Sequence, residues 1–170
     1  RITSTGRIVL HGTNDYSIQF VIAGGNLQMD AGAVLNIERY QIREGRQVFI
    51  LDLSGTHSIT GAGQIGPITA TNSNPRVLTI QNVKDVSLSN IDLHTEYVVL
   101  SGYDFRDMAI FASGAVVITG KVDNSDQDPS GDGGASVTIQ ANTIDVNQLD
   151  TRGMRTLEPR NNGNIVLQAL

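Results

Sequence analysis

The stretch "RVLTIQNVKDVSLSNIDLHT", residues 76–95, holds two short alternating runs separated by a turn. From Leu78 its apolar positions fall at Ile80, Val86, Leu88 and Ile91, offsets of 2, 8, 10 and 13. "SVTIQANTIDVNQLD", residues 136–150, repeats the pattern from Val137 at Ile139, Ile144, Val146 and Leu149, offsets of 2, 7, 9 and 12. One residue of turn length separates the two. Asn82 and Asn142 fall in that turn, and Asn tolerates the left-handed backbone conformation that a sharp corner between strands needs. Alternation of period two in runs rich in Val, Ile, Leu and Thr is the signal of a strand with one buried face.

The same alternation runs outward from both stretches, in "RIVLHG", "QVFILDL", "AVVITGKVD" and "NIVLQA". Helical periodicity is almost absent. Apolar pairs two apart recur at Val48/Ile50, Leu78/Ile80, Val98/Leu100, Val116/Ile118, Val137/Ile139 and Ile165/Leu167. Three of the steps between successive pairs are short and nearly equal, and the first and last are longer. Taken as one series, the short steps give a repeat of about 20 residues, at the low end of the range for stacked-repeat proteins. The turn-rich segments 63–75 and 152–163 read as insertions that stretch the series. A short repeat of two or three strands cannot bury its apolar face alone and is stabilised by stacking. The expected fold is therefore all-β: a parallel β-helix (β-solenoid) of about seven rungs, with no significant helix, as a single domain over 1–170. A β-sandwich of hairpins would need tight two-residue turns between strands, and no Asn-Gly or Asp-Gly turn joins two strands here.

Composition narrows the function classes. Only 17% of the 170 residues are charged, against about 25% in ordinary soluble domains. The net charge of −5 and the absence of a basic stripe argue against nucleic-acid binding. No apolar run approaches the ~20 residues that span a bilayer, so no membrane insertion is expected. There is no cysteine, which removes disulfides and thiolate zinc sites. No leader is visible, and the chain reads as a mature form or as part of something longer.

Two resemblances follow from the wording of the strands and turns. "RVLTIQNVKDVSLSNIDLHT" and "GTHSITGAGQIGP" resemble right-handed parallel β-helices of the pectin-lyase-like superfamily. "GDGGASVTIQANTIDVNQLDTRG" and "NNGNIVLQA" resemble the repeats of filamentous-haemagglutinin-type secreted adhesins. Together they cover most of residues 47–170. They imply a secreted protein, extracellular or at the cell surface.

The pectin-lyase-like resemblance also implies polysaccharide cleavage by paired carboxylates, in motifs resembling Asn-Thr-Asp, Asp-Asp and Gly-His-Gly. None is present. Hydrolysis needs two carboxyl groups facing across a sugar, and Asp92 and Glu96 are near in sequence with nothing else to mark them as a pair. His11, His57 and His94 lack metalloprotease spacing, and there is no nucleophile elbow. "TGAGQIG", residues 60–66, follows no strand-to-helix unit, so it is no nucleotide loop. The chain is expected not to be an enzyme.

Two candidate sites remain. In "VDNSDQDPSGDGG", Asp126, Asp128, Ser130 and Asp132 stand at positions 1, 3, 5 and 7 around Gly131 at position 6, the front half of an EF-hand-type calcium loop. Val137 replaces the closing Glu, and Asp123 and Asn124 are candidates for the missing oxygens. Calcium is thus a candidate ion, although no cofactor is required. The plainer reading is an acidic turn between strands. In "YDFRD", Tyr103, Asp104, Phe105 and Arg106 are a weaker candidate for stacking on a surface glycan, against a plain turn with Phe105 packed inward.

The pattern at both ends is strand, with no capping helix. An uncapped solenoid exposes strand edges, so the expectation is a segment of a longer rod or head-to-tail self-association into a filament. Arginines 39, 43 and 46 and aspartates 123, 126, 128 and 132 would be complementary if the regions met. The leading expectation is a structural or adhesive β-helix of an extracellular fibre or cell-surface rod. The alternative is a carbohydrate-binding or polysaccharide-cleaving β-helix, and the third is a phage tail-spike-like fragment.

Overall fold

A computed structural model describes residues 7–16, 20–21, 26–37, 41–43, 46–53, 58–66, 76–93, 106–124, 136–151 and 165–170. These residues are all-β, and they contain no helix long and apolar enough to cross a membrane. In chain order the strands are β1 (Ile8–Leu10), β2 (Thr13–Tyr16), β3 (Phe20–Val21), β4 (Leu27–Met29), β5 (Val34–Ile37) and β6 (Gln41–Arg43). They continue with β7 (Arg46–Asp52), β8 (Ile59–Gly61), β9 (Gln64–Ile65), β10 (Arg76–Val83), β11 (Val86–Leu88) and β12 (Asn90–Asp92). The last are β13 (Arg106–Ala112), β14 (Ala115–Asp123), β15 (Val137–Ala141), β16 (Thr143–Asp150) and β17 (Ile165–Ala169).

Two sheets result. One runs β3-β7-β10-β13-β15-β17, with β6 beside β7. The other contains two parallel columns, β1-β4-β8-β11-β14 and β2-β5-β9-β12-β14, joined because the long β14 belongs to both and pairs with β16. Every described pairing is parallel except β6 with β7. That pair is antiparallel, with Arg43 opposite Arg46.

The registers correct the expected repeat length. Leu78 pairs with Met108, Met108 with Val137, and Val137 with Ile165. The chain thus returns to the same column of strands after roughly 30 residues, still within the range of stacked repeats. Val86, Val116 and Ile144 form a second row, and Ile91, Val122 and Leu149 a third. Val116 and Ile118 therefore do not belong with Leu78/Ile80 and Val137/Ile139. They lie in the other sheet, against Val86 and Leu88 on one side and Ile144 and Val146 on the other. The segment 63–75, read as an insertion, contains strand β9. Among the described residues the first sheet runs six parallel strands deep (β3, β7, β10, β13, β15, β17), and the strands form two sheets rather than a demonstrated coil of about seven rungs.

Apolar rows build the core. Ile80, Ile110 and Ile139 are in register and fully buried, as are Ile65, Ile91 and Val122. Alternation delivers one residue in two to this core, and burying each Ile, Leu or Val is worth about 1.5–3 kcal/mol. The corner before β4, β8, β11 and β14 is tied by polar side chains reaching between neighbouring strands. Asn26 Oδ1 accepts from the Ser58 amide at 3.0 Å, Ser58 Oγ donates to Asp85 Oδ2 at 3.2 Å, and Asp85 Oδ1 accepts from the Ala115 amide at 2.9 Å. Such corners leave backbone groups out of the ladder, and these bonds satisfy them.

Asn82 makes the corner at the end of β10 with φ of 51°, the left-handed conformation expected of it. Asn142 does not share it. Its Nδ2 instead donates to the Ser113 carbonyl at 2.8 Å, bracing the next corner from the side.

Candidate functional site

The structure reaches the two candidate sites only at their margins. Asp126, Asp128, Ser130 and Asp132 lie outside the described residues, as do Tyr103, Asp104 and Phe105. Arg106 opens β13, in register with Arg76 of β10. Among the described residues no group of three or more His, Asp or Glu is gathered to hold a metal ion. His11 lies beside Asp30, Nδ1 to Oδ2 at 2.8 Å, on an exposed turn.

Asp123 closes β14 directly before the acidic loop, and its surroundings are a charge cluster that sequence spacing did not reveal. The parallel register stacks Asp92, Asp123 and Asp150 at one position of three adjacent strands. Carboxylates in such a ladder repel, the more strongly where water is excluded. Lys121 lies two residues before Asp123, so alternation brings both to the same face. Its Nζ sits 2.6 Å from Asp123 Oδ2 and 2.9 Å from Asp150 Oδ2. Asp150 is 3% exposed. Burial disfavours the charged ammonium, but the hydrogen bonds and charges of Asp123 and Asp150 outweigh it and raise the Lys121 pKa above 10.5. One oxygen of a candidate calcium ligand is thus engaged by a built-in cation. Asn124 follows, fully buried, its amide donating to the Asp150 carbonyl at 2.8 Å and its Nδ2 to the Ser136 carbonyl at 3.1 Å. These bonds pin both ends of the 125–135 segment to the sheet.

A second feature is an open groove of about 490 Å³ along the Asn82 corner. Phe111 and Leu170 line it with Gln81, Asn82, Ser113 and Gln140. Phe111 is 42% exposed and pairs with Gln140 on the neighbouring strand. An exposed ring flanked by three side-chain amides and the Ser113 hydroxyl offers stacking and hydrogen bonding, with no charged side chain in the lining to select an ionic ligand.

The third feature is the outer edge formed by β16 and β17. Val137 and Ile139 are fully buried, whereas their register partners Ile165 and Leu167 on β17 are 46% and 51% exposed. On β16, Ile144, Val146 and Leu149 are half-buried although their partners Val116, Ile118 and Val122 are buried. The residue type and register are those of the core rows. Each half-exposed Ile or Leu leaves on the order of 1 kcal/mol of burial unrealised. The chain matches no protein-family model, no curated protein and no solved structure.

Proposed function

We propose that the chain is a β-solenoid that serves as a structural or adhesive element of an extracellular fibre or cell-surface rod. The observation that carries this reading is the apolar edge of β16 and β17, where buried core rows continue outward and stay half-exposed. Other features support the coil. From β7 to β13 successive strands return to the three columns in a fixed order: β7, β10 and β13 in one, β8 and β11 in the second, β9 and β12 in the third. Neighbours in the other columns keep a similar spacing, as in Ile65 with Ile91 and Leu27 with Ile59. Six layers at the usual inter-strand spacing of roughly 4.8 Å give a rod about 25–30 Å long. A strand stack of this kind exposes its end strands and grows there. Calcium enters only as a clip for the 125–135 loop, beside the Lys121 pair.

The groove beside Phe111 favours a second reading, a carbohydrate-binding β-helix whose flank holds a neutral glycan. Electron microscopy of the purified protein, with a parallel assay of polysaccharide binding and depolymerisation, separates the two. Long filaments are the expected result. Discrete rods that bind or cut polysaccharide would replace the first reading with the second.

A further inference from the structure

We propose that the groove beside Phe111 binds an extended neutral polysaccharide, with the Phe111 ring as a stacking platform and Gln81, Gln140 and Ser113 as hydrogen-bond partners of the sugar hydroxyls. The proposal rests on the rod reading above, to which it gives an adhesive site, and assigns the groove's ligand by chemical class and by residue.

Phe111 is exposed for a reason unrelated to any open strand edge. It lies on β13, which pairs with β10 on one side and β15 on the other. The other exposed large apolar residues among those described lie on or after β17. Gln81, Phe111 and Gln140 each follow a fully buried isoleucine of one row, Ile80, Ile110 and Ile139. Alternation therefore turns all three to the outer face of the sheet, and the ring stands between two side-chain amides. Two residues back on the same face, Ala109 is in register with Thr79 and Thr138. A small residue flanked by hydroxyls thus continues the surface beside the ring.

The backbone is irregular at the same place. Ile80 pairs with Ile110 and Val83 with Ala112, so β10 carries one more residue than β13 across this corner. Asn82, in that stretch, has φ of 51°. An extra residue in one strand bends it and re-aims its side chains, a device common beside binding sites. Asn82 and Val83 both line the groove.

The lining selects the ligand. A half-exposed ring gains by covering its face with apolar C–H groups. Side-chain amides offer both donors and acceptors, and so match hydroxyls, which are both at once. A sugar ring presents a C–H face with a rim of hydroxyls. An ionic ligand would lose hydration here without a charged partner, since no charged side chain lines the groove. A proline-rich peptide docks in a groove lined by aromatic residues, and Phe111 is the one ring in this lining. Gln81, Phe111, Gln140 and Leu170 come from successive layers. At about 4.8 Å per layer they span about 14 Å along the stack, the shape of a site for a chain of sugars.

The test exposes the full chain to an array of immobilised hexasaccharides, neutral and uronic-acid-containing, and titrates those it retains. Neutral sugars should be retained and the uronic ones not. Phe111→Ala should weaken binding at least about tenfold, whereas Phe111→Tyr, which keeps the ring, should bind as the unmodified chain does. Gln140→Leu should weaken binding roughly two- to tenfold, and it keeps the test decisive if Phe111→Ala disturbs the fold. Circular dichroism should be unchanged in all three, because both residues face outward. Retention of no neutral hexasaccharide overturns the proposal, as does retention of uronic sugars alone or binding that survives both Phe111→Ala and Gln140→Leu. A proline-rich peptide that displaces nothing supports it, and one that binds in place of the sugars overturns it. Small-angle scattering keeps the two readings apart: an elongated protein that binds no glycan sinks the site and leaves the rod, whereas a globular one that binds glycan sinks the rod and leaves the site.

Discussion

Gly66→Ala is expected to remove about 3–5 kcal/mol of stability, a large share of the 5–15 kcal/mol that holds a typical domain. Two costs add. Gly66 has φ of 91°, a conformation that L side chains rarely adopt, and a left-handed backbone costs a non-glycine residue roughly 1–2 kcal/mol. The added Cβ would also run into the Asp92 carbonyl group of the neighbouring strand. That obstacle is backbone held by strand pairing, so it cannot rotate away, and overpacking of this kind costs about 1–3 kcal/mol more. Chemical denaturation of both proteins measures the difference. A loss below about 1 kcal/mol would mean that β9 and β12 do not pack at this separation.

Lys121→Met comes next in size. It leaves Asp123 and the buried Asp150 facing each other without the ammonium that bridges them. Breaking a buried pair by removing one partner costs about 3–5 kcal/mol. Lys121 keeps 30% of its side chain in water, so about 2–4 kcal/mol is expected. For a chain of this size that lowers Tm by roughly 5–15 °C. The sign of the pH dependence follows from the raised lysine pKa. The stabilisation is complete below the ordinary lysine value of 10.5 and is lost as pH rises through the higher folded value. The gap between the two proteins should therefore be full at neutral pH and narrow only in strong alkali. Differential scanning calorimetry across that range checks both size and direction. A gap that is small at neutral pH contradicts the Asp123–Lys121–Asp150 arrangement.

The first sheet and its neighbour were legible where the sequence repeats a whole unit. Leu78 to Ile91 and Val137 to Leu149 match position for position in the registers, because both stretches begin in the same column and pass through the same corner. The repeat length was not legible. Alternation is identical in all three columns, so nothing local distinguishes Val116/Ile118 from Val137/Ile139, and series from different columns merged into a false period. "TGAGQIG" was weighed only as a glycine-rich loop, with 63–75 read as an insertion, because glycine has no side chain to pattern. Its structural meaning lies in what its absent Cβ atoms avoid: Met29 beside Gly61 and Gly63, and Asp92 beside Gly66. Asp123 was singled out through its neighbours in the acidic loop, yet its partner Asp150 lies a full layer away. The recurring apolar-Asp pairs Ile91-Asp92, Val122-Asp123 and Leu149-Asp150 were the available signal, and it acquires meaning only with the true period.

The in-register parallel stacking of strands from successive layers is tested most directly by cysteine cross-linking, since the chain has no cysteine of its own. Ala109 and Thr138 are register partners on β13 and β15, both half-buried on the outer face. Adjacent strands lie about 4.8 Å apart, within the Cα separation of about 4.4–6.8 Å that a disulfide accepts. Ala109→Cys with Thr138→Cys should therefore oxidise to an intramolecular disulfide in nearly full yield. Ala109→Cys with Gln140→Cys, offset by two positions, should remain reduced under the same conditions. A reduced first pair, or cross-linking of the offset pair instead, would contradict the register on which the ladders and the Asp92, Asp123 and Asp150 stack depend.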